Sequence, residues 1–399
     1  MNSKNSYDVI IVGGGLSGLT MACVLGAAGV SVACLDRDTP EVQSKDERTT
    51  AISSGSRAIL EKASIWQHLK GQTCAIETIE ILDGGSPVLL DFDYKEVGDN
   101  PFGWIVDNAD LRRAMHTVIG GLNSIDHIAP AAAADFAVEE QHASVILDDE
   151  QTLNAQLIIG ADGRGSGLRE WMDVPTRGWS YKQRAIVCIA EHENPHNHNA
   201  VEHFYPEGPF ATLPMYDDPK TGAHRSSVVF TEHGREAESW MAMSDADFEL
   251  ALNVRFPDQY GAIKLVSKRQ AYPLSLVHAA EYVRPRMALI ADAAHGIHPI
   301  AGQGLNLGFR DIECLGTLLA EASKAKEDLG SEALLTNYQR KRRPDNMAMV
   351  AATDGLNRLF ANDIAPVRAL RRAGMKLVGR LPPAKRMLMR YAMGQGGLR

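Results

Sequence analysis

The feature that most constrains the fold is an uncharged stretch near the start of the chain, residues 9–35, between Asp8 and Asp36. A membrane-spanning helix needs about 20 predominantly apolar residues, and this stretch is long enough. It contains six glycines, however, three of them consecutive, and glycine is a poor residue for a helix interior. A secretion signal carries positive charge before its apolar run, whereas Asp8 precedes this one. The stretch is typical of neither.

The same residues match one strand–helix–strand unit. Residues 7–12 (YDVIIV) are typical of a buried strand, a helical stretch extends to about residue 28, and residues 30–35 predict a second strand. The turn before the helix carries glycines in the GxGxxG spacing: Gly13, Gly15 and Gly18. This spacing permits a tight turn and lets a pyrophosphate approach the N–H groups that begin the helix. Asp36, followed by Arg37, ends the unit where a carboxylate can bind a ribose. We therefore predict a dinucleotide site.

Composition and charge limit the function classes. The chain has 399 residues, 45% of them hydrophobic, which is enough for two domains with substantial cores. Its five cysteines are scattered and show no CxxC spacing, so we predict no disulfide framework and no zinc site, and a reducing cytoplasm. The net charge of −9 argues against general nucleic-acid binding. We also expect no metal centre at the histidines of a loop-like segment, which we predict to be solvated: His192, His196 and His198.

Two later segments distinguish between dinucleotides. In residues 157–169 an apolar strand ends in Asp162 and Gly163. In residues 287–311 a strand leads to Asp292 and then to a glycine-rich loop that opens a long helix, with Gly302, Gln303, Gly304, Leu305 and Asn306 at its start. A helix N-terminus can stabilise negative charge on a reduced flavin, and a carboxylate such as Asp292 can accept hydrogen bonds from ribityl hydroxyls. These segments favour FAD.

At these residues the chain resembles the single-component FAD-dependent aromatic hydroxylases, which combine GxGxxG, an internal DG motif and a GD motif. The last motif differs here, because Ala291 stands where the family usually has glycine; we expect a methyl group to be tolerated there if the backbone is not left-handed. The resemblance implies cofactor contacts for Arg48, in DERTTAIS, and for Arg112, in WIVDNADLRRAM. The segment YQRKRRPDNMAMVAATDGLNRLFAND, residues 338–363, is similar to the ubiquinone-biosynthesis branch of this family.

The resemblance implies a monooxygenase that hydroxylates the ring of a polyprenylated phenol through a C4a-hydroperoxyflavin. Dioxygen would be the co-substrate. A second nucleotide fingerprint is absent from the sequence, so NAD(P)H that binds transiently and a protein electron donor both stay open as the reductant. Hydroxylation of a small soluble phenol, and a non-catalytic FAD-containing subunit of a quinone-synthesis complex, are the alternatives. A flavin halogenase is disfavoured because its WxWxIP motif is missing, and a polyprenyl reductase would not share TDGLNRLF.

The expected fold class is α/β. A Rossmann-type FAD-binding domain would comprise residues 1–75, 100–180 and 280–335. A mostly antiparallel β-sheet domain for the substrate would comprise residues 76–99 and 181–279, and a helical region residues 336–399. In the sheet domain, FATLPM matches a region that faces the flavin in related enzymes, so we predict substrate contacts for Phe210, Leu213, Pro214 and Met215. Core packing explains these apolar residues equally well.

No nucleophile motif such as GxSxG is present, as expected if a flavin performs the difficult step. Three residues flank the glycine-rich loop and are candidates to contact substrate or oxygen: His295, His298 and Pro299. Structural roles are equally compatible with the histidines, so neither is assigned as a catalytic base.

After Asp363 the chain contains nine basic residues and no acid. From residue 367, apolar residues recur at helical spacing, and we expect five basic residues on the opposite side: Arg368, Arg371, Arg372, Lys376 and Arg380. A basic amphipathic helix suits an anionic membrane surface. We expect a cytoplasmic protein that contacts the inner face of the membrane peripherally through this helix. Two alternatives for the helix stay open: it docks on an acidic partner, or it packs on the rest of the protein.

Overall fold

The computed structural model describes residues 5–298, 302–360 and 364–395. The strands in chain order are β1 (Ser6–Val12), β2 (Val32–Leu35), β3 (Thr49–Ser53), β4 (Thr73–Ile76), β5 (Thr78–Asp83), β6 (Leu90–Asp93), β7 (Gly103–Asp107), β8 (Ile125–Ile128), β9 (Ala133–Val138), β10 (Ala143–Leu147), β11 (Thr152–Gly160), β12 (Thr176–His192), β13 (Asn199–Tyr205), β14 (Gly208–Met215), β15 (His224–His233), β16 (Ile263–Leu265), β17 (Gln270–Ala279), β18 (Val283–Arg284), β19 (Met287–Leu289) and β20 (His295–Gly296). The α-helices are α1 (Leu16–Ala27), α2 (Pro40–Gln43), α3 (Ser54–Lys62), α4 (Asn108–Gly120), α5 (Gly167–Trp171), α6 (Gly234–Ala242), α7 (Asp245–Arg255), α8 (Gln303–Ala325), α9 (Glu332–Phe360), α10 (Ala365–Arg380) and α11 (Pro382–Ala392).

The first sheet has the order β18-β19-β11-β1-β2-β8, with β9 and β10 added beside β11. Strand β1 pairs in parallel with both β2 and β11. Its residues Val9, Ile10 and Ile11 are fully buried, because helices cover the faces of a parallel sheet. Helix α1 packs against α4 and α8. This arrangement confirms the predicted Rossmann-type fold.

The second sheet has the order β20-β17-β12-β15-β14-β13-β5-β6 and is antiparallel except where β13 pairs with β5. Its side chains alternate between two buried faces. The back face packs on α6 and α7 through a core that includes Phe210, Phe230 and Phe248. The inner face contributes Leu213 and Met215 to a different core, which also contains residues of β7 and α11. The predicted antiparallel sheet is therefore confirmed.

A small sheet, β3-β7-β4, lies at this inner face. The C-terminal helices follow, which confirms the predicted helical region, while the exact domain boundaries stay predictions. Helix α10 is held to the second sheet by Arg371 and Arg372, which both pair with Asp83 at the end of β5. Helix α11 is held by Lys385, whose Nζ lies 2.6 Å from Glu96. None of the helices in the described part of the chain combines the length and hydropathy that crossing a bilayer requires.

Candidate flavin site

The turn between β1 and α1 is built for close approach. Gly13 has φ +108°, and a Cβ there would lie 2.5 Å from the carbonyl oxygen of Ala161. A Cβ on Gly18 would lie 1.8 Å from the oxygen of Gly13, so only glycine fits where helix and turn meet. A Cβ on Gly15, by contrast, would meet no heavy atom within 4 Å. The start of α1 is therefore open to a ligand, as a pyrophosphate site requires.

Asp36 lies beside this turn. Its carboxylate accepts hydrogen bonds from the backbone N–H of Asp38, at 3.0 Å, and from the side-chain amide of Gln43. The same amide donates to the oxygen of Gly14 at 3.3 Å. Gln43 thus fixes the acid against the glycine turn, a role that the sequence did not indicate. Arg37 is exposed.

Arg48 and Arg112 meet at Asp46. Arg48 donates two hydrogen bonds of 2.7 Å to its carboxylate, and a nitrogen of Arg112 lies 3.7 Å from it. Burial raises the pKa of Asp46, but Arg48 outweighs that effect and the pKa is lowered. Arg112 also donates to the oxygen of Gly14 at 3.4 Å, while its buried Nε has no partner among the described residues. Burial lowers the pKa of Arg112, so an anion at the glycine turn would complete its environment.

The DG motif lies opposite the same turn. One carboxylate oxygen of Asp162 accepts from the backbone N–H of Leu168 at 3.1 Å, and the other is buried with no partner in the described chain. Gly163 has φ +83°, a conformation that favours glycine. Arg164 donates to Asp292 at 3.1 Å and to the oxygen of Ile297 at 2.9 Å. Arg164 therefore links the DG segment to Asp292 and to the chain that enters the glycine-rich loop.

Ala291 has φ +52°, so the condition under which we expected its methyl group to be tolerated is not met. The conformation is held by Asp311, whose carboxylate accepts from the N–H of Ala291 at 3.0 Å and also contacts the ring of His295. Arg342 of α9 donates to the other oxygen of Asp311 at 2.8 Å. Burial raises the pKa of Asp311, but His295 and Arg342 outweigh it and hold that pKa well below its usual range. His295 is therefore bound into a buried ionic network.

The glycine-rich loop reaches α8 through Gly302, which has φ +63°. Asn306 accepts from the N–H of Ser53 at 2.9 Å and donates to the oxygens of Ala51 and Gly302. It thereby ties the start of α8 to β3, the strand that follows Arg48. The remaining predicted residues of this turn lie at the helix start, partly exposed: Gln303, Gly304 and Leu305. Pro299 lies outside the described residues.

His298 is fully buried, and neither ring nitrogen has a hydrogen-bond partner in the part of the chain that the structure describes. Its ring packs edge-on against Tyr181, with centroids 4.9 Å apart, and Tyr181 donates to Asp354 of α9 at 3.1 Å. Burial, and next the charge of Arg164, lower the pKa of His298 to about 4. The ring is thus neutral at pH 7, beside the loop where the flavin is expected.

The residues predicted for the substrate do not share one face. Phe210 packs against Phe230 in the back core, with ring centroids 5.6 Å apart, and strand alternation places Pro214 on that side too. Leu213 and Met215 point to the inner face, where Met215 is buried and Leu213 is half-buried. Phe210 and Pro214 therefore serve the core behind the sheet. Of the four residues, Leu213 is the best placed to contact a substrate.

The prediction that His192 and His196 are solvated is wrong, because both are buried. His192 bonds to Ser226 at 3.0 Å. His196 approaches Cys74 and His198 closely enough for the three to share a metal ion. However, Nε2 of His196 already contacts the oxygen of Met215 at 2.8 Å, and its Nδ1 accepts from the N–H of His198 at 3.1 Å. A structural role accounts for these bonds.

Comparison with known proteins decides the family. A family model described as FAD binding domain matches residues 6–353. The chain belongs to this family of FAD-dependent monooxygenases. The ubiquinone hydroxylase UbiL of Rhodospirillum rubrum is 43% identical over 97% of this chain and 89% of the relative. The human mitochondrial ubiquinone biosynthesis monooxygenase COQ6 is 32% identical over 97% of this chain and 92% of the relative. The predicted membership of the ubiquinone-hydroxylase branch and the predicted FAD cofactor are therefore confirmed.

A solved structure supports the fold independently. The p-nitrophenol 4-monooxygenase PnpA of Pseudomonas putida superposes with a TM-score of 0.82, at 20% identity, over 99% of this chain and 100% of PnpA. The residues of the candidate site fit FAD on physical grounds. The glycine turn is open, and two buried polar atoms beside it, on Arg112 and Asp162, have no partner among residues 5–298, 302–360 and 364–395.

Proposed function

We propose that this monooxygenase hydroxylates the aromatic ring of a polyprenylated phenol in ubiquinone biosynthesis. The observation that carries the proposal is the 43% identity, over nearly the whole chain, to a protein named as a ubiquinone hydroxylase. The name of COQ6 places that relative in the same biosynthesis. Membership of a ubiquinone-biosynthesis complex is compatible with this function and stays a prediction.

The residues described above would hold FAD in three parts. The start of α1 and Arg112 would bind the pyrophosphate, and Asp36 the adenosine ribose. Asp162 and Asp292 would bind the region between pyrophosphate and ring, while the start of α8 would face the flavin ring. When bound and reduced, FAD supplies the reaction with dioxygen. NAD(P)H or a protein electron donor would supply the electrons.

The substrate ring would lie between the inner face of the second sheet, the end of α9 and the loop that carries His298. The inner face offers small apolar side chains such as Ala211 and Val229, which stand opposite each other on β14 and β15. Phe360 at the end of α9 stacks on Phe204 of β13, with centroids 3.6 Å apart. Such walls would exclude water and so limit side reactions that consume reactive intermediates without hydroxylating the phenol.

The C-terminal helices would contact the membrane that holds a polyprenylated substrate. Their exposed apolar side chains include Ile364, Leu370, Leu377, Leu381, Met387 and Leu388. The sequence expectation needs one correction, because Arg371 is buried and Arg371 and Arg372 both pair with Asp83. The bases suited to lipid headgroups are the exposed ones: Lys376, Arg380, Arg386 and Arg390. Apolar insertion and these charges together would hold the protein at an anionic surface.

Turnover under labelled dioxygen tests the reaction. We expect a prenylated phenol to gain one hydroxyl whose oxygen comes from dioxygen, detected by mass spectrometry. Label arriving from water would contradict a monooxygenase reaction on this substrate. Equal turnover of a small unprenylated phenol would instead favour the alternative of a soluble phenol substrate. Reduction of bound FAD without any hydroxylated product would favour a non-catalytic subunit.

A further inference from the structure

One acidic side chain on the inner face of the second sheet has an unusual position. Glu202 lies on β13, opposite Ala211 of β14 and Ile81 of β5. Residues of one strand that are two apart share a face, so Glu202 points to the same side as Ala200 and Phe204. Ala200 and Ile81 belong to the inner core. Glu202 is therefore a carboxyl group within an apolar row.

This carboxyl group is half-buried and makes no hydrogen bond or ion pair with any residue of the described chain. Burial raises the pKa of Glu202 to about 7, and no neighbouring charge contributes to that shift. A carboxylate removed from water without a partner is costly. A ligand that donates a hydrogen bond to this carboxylate would offset that cost.

Helix α9 relates the position of Glu202 to that of His298, which precedes the glycine-rich loop. At one end of its last turns, Asp354 bonds to Tyr181, whose ring contacts His298. Six residues further on, Phe360 stacks on Phe204, two residues from Glu202. Six residues of α-helix span about 9 Å. Tyr181 and Phe204 thus contact α9 at two points about 9 Å apart along its axis, and His298 and Glu202 each lie beside one of these points.

We propose that the Glu202 carboxylate accepts a hydrogen bond from the ring hydroxyl of the substrate and so orients the ring. This inference rests on the proposed function and names a specificity residue within it. A phenol O–H is a donor, and a carboxylate is an acceptor whose hydrogen bond is stronger than that of a neutral group. This hydrogen bond would favour phenols over rings that lack a donor, and the position of the hydroxyl on the ring would determine which ring carbon faces the flavin.

The test measures binding, so that it does not depend on turnover. FAD-loaded protein is titrated at pH 8, where Glu202 is mostly ionised, with a short-chain prenylphenol and with the matching alkylbenzene that lacks the hydroxyl. The perturbed flavin absorption spectrum gives both dissociation constants. A hydrogen bond to a charged group contributes about 1.5–3 kcal/mol, so we expect wild type to prefer the phenol by roughly tenfold to a hundredfold. We expect Glu202→Gln to retain a smaller preference and Glu202→Leu to lose it.

Glu80→Gln is the matched control. Glu80 lies on the neighbouring strand β5, one residue before Ile81 and therefore on the opposite face, and we expect this variant to keep the full preference. FAD content and melting temperature verify the fold of each variant. A preference that survives in Glu202→Leu overturns the inference but leaves the proposed function intact. Wild-type protein that binds no phenol overturns both.

Discussion

Ala291 and Gly308 face each other across a space that holds only one methyl group. Ala291 has a left-handed backbone, and a Cβ built on Gly308 of α8 would lie 2.7 Å from the Ala291 methyl carbon. Gly308→Ala alone should therefore overpack this contact, at a cost of about 1–3 kcal/mol, against a gain of about 1 kcal/mol in helix propensity. In the background of Ala291→Gly the clash with the methyl group is gone, and Gly308→Ala should become neutral or stabilising.

The coupling between the two substitutions is thus expected at about 2 kcal/mol. Ala291→Gly alone should change stability little, because relief of about 1–2 kcal/mol of backbone strain is offset by a lost buried methyl group and by the freedom of glycine in the unfolded chain. The unfolding entropy of a chain of this length is about 0.8 kcal/mol per kelvin, so the coupling corresponds to about 2–3 °C.

The assay is thermal unfolding of all four proteins, followed by circular dichroism and by release of flavin fluorescence. We expect Gly308→Ala to lower the melting temperature in wild type and not in the Ala291→Gly background. Equal changes in both backgrounds would refute the reasoning, since the two side chains would then not compete for the same space.

Three other predictions concern separate parts of the molecule. Asp292→Ala should give colourless protein, and Arg164→Ala should also lower the flavin content, as measured by absorbance; yellow Asp292→Ala protein would remove the role assigned to that acid. Asp311→Asn should destabilise by about 3 kcal/mol at pH 7. The pKa of Asp311 is lowered in the folded state, so its contribution to the free energy of unfolding is complete above the ordinary Asp pKa of about 3.9 and is lost at lower pH. The difference in melting temperature between wild type and Asp311→Asn should therefore shrink below about pH 4. A difference that stays constant with pH would argue against the ion pairs. Sedimentation with anionic vesicles should weaken with salt. It should fall strongly when three exposed bases of α10 and α11 are changed to Glu: Lys376, Arg380 and Arg386. It should not fall when three exposed bases elsewhere are changed to Glu: Lys45, Lys70 and Lys264. Equal binding of the two triple variants would exclude the proposed surface.

The sequence predicted the first sheet well because its signals are local. The glycine spacing after β1 requires a particular backbone, and the strand, turn and helix follow one another directly. The two faces of the second sheet were harder to predict. Phe210 and Leu213 are both apolar, and when both faces of a strand are buried, alternation in the sequence does not tell which face meets the flavin.

The partners of the predicted site residues also escaped prediction. Arg164 follows the DG motif directly, yet its contact with Asp292 joins positions 128 residues apart. Asp311 ends the GFRD segment, but its four partners come from the turn at Ala291, from β20 and, twice, from α9. His192 and His196 looked polar and loop-like in the sequence, whereas the fold buries them. Contacts between distant segments need the tertiary structure.

The attachment of α10 and α11 affects how deletion experiments must be interpreted. Asp83 is buried and takes its positive partners from α10, while the backbone N–H of Gly55 donates at 2.9 Å to the oxygen of Met393, beyond α11. A truncation after Phe360 would leave Asp83 as a buried carboxylate without a cation from α10 and would remove a contact with the segment that follows β3. If such a truncated protein lost vesicle binding or bound flavin, the loss would follow from destabilisation of the remaining fold. Only point variants at the surface can therefore separate lipid binding from folding.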